Sequence, residues 1–325
     1  MNAIDSNYDL AGCTYMQPRS WQTATRVNWL INHYLTDKHL SDRVRDLPTQ
    51  FADPQPRLWE TINWNAIEPE HILGMPTDDF LAILSGIIDT ETPIRWYTQT
   101  SRQYLEPIHP EMARFVGGIA TDDGTLVEPG LWEKEERQHA PALRKVYRHL
   151  TGRSYLPNPP SPKLYRPSGS PLADLYRHGL HRVVTECGAT CLYIWLMART
   201  TGPLQQVFYE LARDEINHAC KFWGFGVWLY PDSYLARLWQ AIAGDRVPSE
   251  RQLTDSVPVE LAPVRDLSRT FYRMSSVLAW NDWSAAHKLE FVHTCARVMG
   301  RLLSWHRTLT PEFLRTQFGQ PPAVR

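Results

Sequence analysis

Two segments share one plan, an acidic pair followed by two residues and a histidine: Glu135-Glu136-Arg137-Gln138-His139 and Asp214-Glu215-Ile216-Asn217-His218. On a helix, positions i and i+3 lie on one face, so each segment offers a carboxylate and an imidazole together to whatever packs against it. Carboxylate oxygen and imidazole nitrogen are the donors that bind divalent iron or manganese. Glu186 lies between the segments and Glu91 upstream of both. One Glu from each of two helices and Glu-x-x-His from two more is a ligand set that helical bundles project inward around a pair of metal ions. The expected ligands are therefore Glu91, Glu136, His139, Glu186, Glu215 and His218.

The spacing alone is weak, since chance pairing of 17 Glu with 12 His over 325 positions predicts roughly 0.6 Glu-x-x-His pairs. The chain has five. Glu68 to His71 and Glu106 to His109 each enclose a proline and fit turns or helix starts. Glu290 to His293 lies in a helical pattern, but its face continues to Arg297 and Arg301. Leu289, Val292, Ala296, Met299 and Leu303 form the apolar stripe there, which predicts that Glu290 faces solvent or a polar seam. In the two favoured segments the flanks are apolar: Trp132, Leu143 and Val146 beside the first, Leu211, Phe222 and Phe225 beside the second.

Four carboxylates turned into a core would cost several kcal/mol each or neutralise themselves, and two dications would offset their charge. The acids preceding each pair then have a use, because a ligating imidazole usually gives its other N–H to a carboxylate. Asp214 is expected to brace His139, and Glu135 to brace His218.

These residues need long helices to hold them, and the apolar periodicity is helical nearly throughout, which predicts an all-α fold. A first helix is expected over Trp21 to Arg45. A second starts at Thr77-Asp78-Asp79 and runs through Glu91 to about Tyr104. A third follows Pro129-Gly130 and stops near Gly152. The Pro- and Ser-rich stretch of about 153–171 reads as a crossover loop. Leu172 to Arg199 carries Glu186, and Thr201-Gly202-Pro203 opens the helix of the second segment. From Pro231 onward further helices are expected, broken around Pro258 to Pro263. No repeat and no interdomain linker are visible, so residues 1–325 are expected to form a single domain whose ligand-bearing core covers about 77–230. Pro93 and Pro141 each follow an expected ligand by two residues in place and predict kinks.

Hydrophobic residues make up 43% of the chain, ample for a core, and no apolar run approaches the ~20 residues of a membrane span. The first residues lack a secretion signal's basic start and apolar stretch, so a cytoplasmic location is expected. The five cysteines form no CxxC and no framework, and Cys187 and Cys191 read as small core residues. A formal charge of −1 argues against nucleic acid as a partner. Lys145, Arg148 and Arg153, with Arg177 and Arg182, are either a landing surface for an acidic protein or solvated helix faces.

The segments quoted above resemble the soluble acyl-carrier-protein desaturase family, fatty acid desaturase type 2, within the ferritin-like di-iron carboxylate proteins. Ile88-Asp89-Thr90-Glu91 resembles its first ligand helix, Glu135 to His139 its Glu-Glu-x-x-His, Thr185-Glu186 its third helix, and Asp214 to His218 its Asp-Glu-x-x-His. The likeness covers roughly residues 20–230. It implies a ferritin-like antiparallel helical bundle with extra N- and C-terminal helices, a homodimer, and two iron ions, with manganese as the other metal such ligands accept. It further implies O₂ as oxidant, a ferredoxin-type electron donor, and a fatty acyl chain on acyl carrier protein, or a small apolar molecule, as substrate. A family tryptophan connecting surface to metal would be Trp64, acting through His139 and Asp214.

One departure bears on the reaction. The family places a threonine three residues after the third-helix glutamate, where this chain has Ala189, and Thr190 comes one later, the spacing found in bacterial di-iron monooxygenases. Thr190 is the expected catalytic side chain, and Tyr193, Met197 and Phe222 are expected to line the pocket with it. The expected activity is oxidation of an unactivated C–H bond of an acyl or similar long apolar substrate. The alternatives are a hydroxylase or N-oxygenase of a specialised metabolite, an iron-storage ferroxidase, against which His218 speaks, and a helical interaction protein with a vestigial site.

Overall fold

In the computed structural model, which describes residues 20–159, 170–229 and 283–319, prolines and side-chain caps decide where several of the expected helices end. The single helix expected over Trp21 to Arg45 is two, α1 (Ser20–Tyr34) and α2 (Asp37–Asp42). Thr36 separates them: its backbone is extended, and its hydroxyl accepts the His39 N–H at 3.2 Å, an N-cap that starts α2 afresh. After α3 (Leu47–Ala52) come two single 3₁₀ turns, Trp64–Ala66 and Pro69–His71.

The helix expected through Glu91 to Tyr104 is likewise divided, into α4 (Thr77–Glu91) and α5 (Ile94–Leu105). Pro93 has no N–H to continue α4, so Glu91 is that helix's last residue. α6 (Pro110–Gly117) leads into a small hairpin, β1 (Ile119–Ala120) paired antiparallel with β2 (Leu126–Glu128). Gly118 makes this crossing possible, with φ of +76° and its α-carbon so close to the Glu128 carbonyl that a Cβ would overlap it.

The hairpin delivers the chain to α7 (Leu131–Glu136) and α8 (His139–Thr151), which Gly152 ends in the left-handed region. Pro141 causes the break between them, since it cannot donate back to Arg137, and the chain tightens into an i→i−3 bond from Gln138 N–H to Glu135 at 3.0 Å. The first segment of interest therefore spans a helix junction rather than one continuous helix. Of the expected crossover loop, 160–169 lie outside the described residues. Its start is fastened to α4, with Asp89 accepting from the Tyr155 hydroxyl at 3.0 Å and the Asn158 N–H at 2.7 Å.

The centre of the described fold is the pair α9 (Pro171–Ala198) and α10 (Gly202–Leu229), two 28-residue helices joined by a three-residue turn, which makes them antiparallel neighbours. Their mutual packing is the most extensive between any two described elements. α10 is buried almost all round, as expected of a helix enclosed by others, with α2, α3's neighbourhood, α7 and α8 against its other sides. α8 packs on α4, and α1 packs on α9. Cys187, Cys191 and Cys220 are buried thiols in this core. Among the described residues no helix is long and apolar enough to cross a membrane.

α11 (Ala285–His306) packs on α9 and α1, and α12 (Pro311–Phe318) on α10. α11 corrects the reading of its face. Glu290 points inward at 5% exposure, whereas Leu289 and Val292 of the supposed core stripe are 71% and 48% exposed. The cause is Arg199 at the end of α9, a buried cation that bonds the Leu73 and Gly74 carbonyls and pairs with the Glu290 carboxylate. Turning Glu290 inward brings His287, Phe291, Thr294, Val298, Leu302 and Trp305 with it, one helical face. The further helices expected over 231–282 fall outside the described residues. Glu290→Ala, which leaves Arg199 charged and unpaired in the core, is expected to cost about 3–5 kcal/mol in denaturant unfolding, and a loss under ~1 kcal/mol would remove this pair from the account.

Candidate metal centre

Six side chains from five helices meet. Glu91 ends α4, Glu136 ends α7, His139 begins α8, Glu186 lies midway along α9, and Glu215 and His218 lie in the middle of α10. All are buried except Glu91, whose side chain is 12% exposed. The junction between α7 and α8 keeps Glu136 and His139 together, because Arg137 and Gln138 both stay in the right-handed region.

Each histidine turns Nδ1 to the centre. His139 Nδ1 lies 3.7 Å from Glu91 Oε2, 3.4 Å from Glu136 Oε2 and 3.2 Å from Glu215 Oε1. His218 Nδ1 lies 3.4 Å from Glu186 Oε2, 3.1 Å from Glu136 Oε1 and 3.7 Å from Glu215 Oε2. Glu136 and Glu215 thus present one oxygen to each histidine and span the two halves. Glu91 and Glu186 serve one half each. Adjacent donors about 2.1 Å from a common octahedral ion stand roughly 3 Å apart, and the separations from each Nδ1 here are 3.1–3.7 Å.

The outward nitrogens explain why Nδ1 faces inward. His139 Nε2 is 3.3 Å from Asp214 Oδ2, and His218 Nε2 is 2.8 Å from Glu135 Oε2. A carboxylate accepts but does not donate, so the proton sits on Nε2 and the lone pair on Nδ1. Among the described residues, both Nδ1 atoms and Glu215 Oε2 are buried without a hydrogen-bond partner. Such orphaned acceptors in a core are what a cation satisfies.

Residues 53–63 supply a component that sequence reading missed. Arg57 gives its backbone N–H to Glu135 Oε1 at 2.7 Å and its Nε to Asp214 Oδ1 at 2.8 Å, and its guanidinium pairs with Glu210. One residue therefore holds both braces. The indole donating to Asp214 belongs to Trp59, at 2.7 Å, rather than to the expected Trp64, whose ring lies under the Lys145 ammonium at 4.2 Å. Trp64 sits on a separate 3₁₀ turn, and Arg57 is what directs the chain at Trp59 over the site. Thr185 is another missed contact, its hydroxyl 3.0 Å from Glu186 Oε1.

Burial is the largest influence on the protonation of the site's carboxylates, with their mutual charges adding to it at Glu215. Burial, with the charges of Glu136 and Glu186, pushes Glu215 well above the usual carboxylate range. Burial raises Glu136 to about 7 against the pull of His139. Glu186 is also raised by burial, but the neighbouring His218 outweighs that and brings it to about 2. Burial would lower His139 and His218, yet Glu136 and Asp214 hold the first well above the imidazole range, and the carboxylates of Glu135, Glu136 and Glu186 do the same for the second. The cluster thus collects protons, which an arriving cation would displace.

Thr190, Tyr193, Met197 and Phe222 are all fully buried, and the Thr190 hydroxyl has no hydrogen-bond partner among the described residues. Of the basic groups, Arg148 and Arg153 are exposed, whereas Arg182 lies over the Trp132 ring at 4.6 Å. The Arg177 side chain falls outside the described part. A polar cleft of about 460 Å³, lined by Arg43, Arg57, Glu135, Arg213, Asn217 and Lys221 among others, reaches the brace Glu135 but none of the six central groups.

Glu136, Glu186, Glu215 and His218 bring donor atoms within 4.8 Å of one another, as do Glu91, Glu136 and His139. The buried cluster can hold metal. Comparison with family models, curated proteins and solved structures found no match for this chain.

Proposed function

We propose that this protein is an O₂-dependent di-iron oxidoreductase resembling the acyl-carrier-protein desaturases, acting on a long apolar chain. The observation that carries the reading is the pair of inward Nδ1 atoms, each facing three carboxylate oxygens and each braced from behind by another carboxylate. Zinc would be satisfied by four donors of fixed geometry, whereas six Glu and His side chains shared over two positions suit iron or manganese. Glu136 and Glu215 would be shared by both ions, with Glu91 and His139 on one and Glu186 and His218 on the other.

When bound, such a metal pair supplies the reduction of O₂ and the oxidising power that amino-acid side chains lack. The chain's own residues bind, orient and exclude. Asp214 and Glu135 keep the imidazole protons on Nε2, and Arg57 keeps those carboxylates aimed. Apolar side chains around Tyr193, Met197 and Phe222 keep water from the centre. The exposed Arg148 and Arg153, near the end of α8, offer an acidic carrier protein a surface.

A second reading has its own support. Thr190, one turn beyond Glu186, has a buried hydroxyl without a partner among the described residues, placed to hold or pass a proton to an oxygen atom, which favours a hydroxylase. The reduced, iron-loaded protein given O₂ and acyl carrier protein bearing chains of varied length should yield products lighter by two hydrogens. A gain of one oxygen would select the hydroxylase, and unchanged chains with every length would count against the acyl substrate.

A further inference from the structure

Glu91 and Glu186, the two carboxylates that serve one half each, both give one oxygen to a hydroxyl, but on unequal terms. The Thr185 hydroxyl has a single proton and lies 3.0 Å from Glu186 Oε1 and equally 3.0 Å from the Arg182 carbonyl, so its bond to Glu186 is divided. The Tyr193 phenol is 2.7 Å from Glu91 Oε1. Its ring is fully buried, set edge-on to His139 at 6.4 Å and stacked on Phe208 at 6.3 Å, so the O–H direction is fixed by packing. With Oε1 held there, Oε2 is the atom that faces His139.

We propose that Tyr193 is a positioning residue that restricts Glu91 to one metal-facing oxygen and so makes the two metal positions unequal. The proposal rests on the two-metal reading. The Glu91–His139 position then receives four protein donors, one oxygen each from Glu91, Glu136 and Glu215 and Nδ1 of His139. A six-coordinate ion there takes two more from outside the protein. Glu186 keeps its second oxygen available, so the other position can be filled more completely by the chain itself. The exchangeable ligands, and therefore the small molecules that enter, belong on the Tyr193 side. Tyr193 stands two turns beyond Glu186 on α9, so one helix face governs a terminal ligand in each half.

Anaerobic titration with Co²⁺ as the probe reads this without any turnover, because visible absorption reports the coordination of each ion. Wild type should bind two ions in two resolved steps. Tyr193→Phe, which removes a single oxygen atom, should change the spectrum of one ion and shift its affinity about 10-fold or more, leaving the other step within about twofold. Thr185→Val should leave both spectra nearly unchanged. 3-Fluorotyrosine at position 193 restores the O–H and should return both steps to wild-type values, which separates the bond from any effect of the variant on folding. A Tyr193→Phe protein with wild-type spectra and affinities overturns the role of Tyr193 and leaves the two-metal reading intact, whereas fewer than two Co²⁺ ions in wild type overturns both.

Discussion

Glu215→Gln is expected to have effects of opposite sign on the metal-free and metal-loaded protein. Glu215 spans the two halves, so the amide, a poor ligand of similar size, should cost both ions and all O₂ consumption. Without metal, however, Glu215 is an acid pushed up first by burial and then by the charges of Glu136 and Glu186, and the neutral amide removes both penalties. Because Glu215 binds its proton more tightly in the folded chain than in the unfolded one, the stability tied to it is greatest below the ordinary carboxylate pKa. That stability is lost as pH rises through the raised folded value. Metal-free wild type should therefore lose more stability than metal-free Glu215→Gln as pH is raised from about 4.5, and the variant should melt higher at neutral pH. In excess metal the order should reverse, since only wild type gains the linkage term, about 4 kcal/mol at a thousand times Kd. Thermal melts of both proteins with and without metal check the crossing. A variant less stable in both conditions would mean that the carboxylate serves packing.

Arg57→Ala should be nearly as damaging although the residue touches none of the six central groups. It strands Asp214 and Glu210, whose side chains are fully buried, and releases Glu135 through the altered backbone. Removing one partner from a buried ion pair costs about 3–5 kcal/mol, which for a chain of this size lowers Tm by roughly 5–15 °C. Both histidines lose the fixed orientation of their braces, and metal affinity should fall about 10- to 100-fold. Arg57→Lys retains the charge but lacks the planar fork that reaches Asp214 and Glu210 together, so it should recover part of the stability and little of the affinity. Affinity lost at one position only would show that Asp214 and Glu135 are held independently.

The residues that cluster were legible because each Glu-x-x-His pair carries its own register, and carboxylates amid apolar flanks demand a counter-charge wherever the helices lie. The junction at Pro141 shows how local that information is: the helix breaks, yet Glu136 and His139 stay 3.4 Å apart because the two linking residues remain right-handed. What was not legible depended on partners distant in sequence. Glu290 turns inward because Arg199, 91 residues away, needs an anion, and a stripe count along α11 has no knowledge of that need. Trp59 rather than Trp64 reaches Asp214 because Arg57 is anchored across 157 residues, in a loop with no periodicity to read. Tyr193 was visible on the face of Glu186, but its hydrogen bond to Glu91 required knowing how α4 and α9 meet.

Anomalous X-ray scattering at the iron edge, from crystals of protein loaded anaerobically with Fe²⁺, tests the central claim most directly. Two peaks per chain are predicted, one beside Glu91 and His139 and the other beside Glu186 and His218, with Glu136 and Glu215 between them. A single peak, or iron bound only at the protein surface, would contradict it.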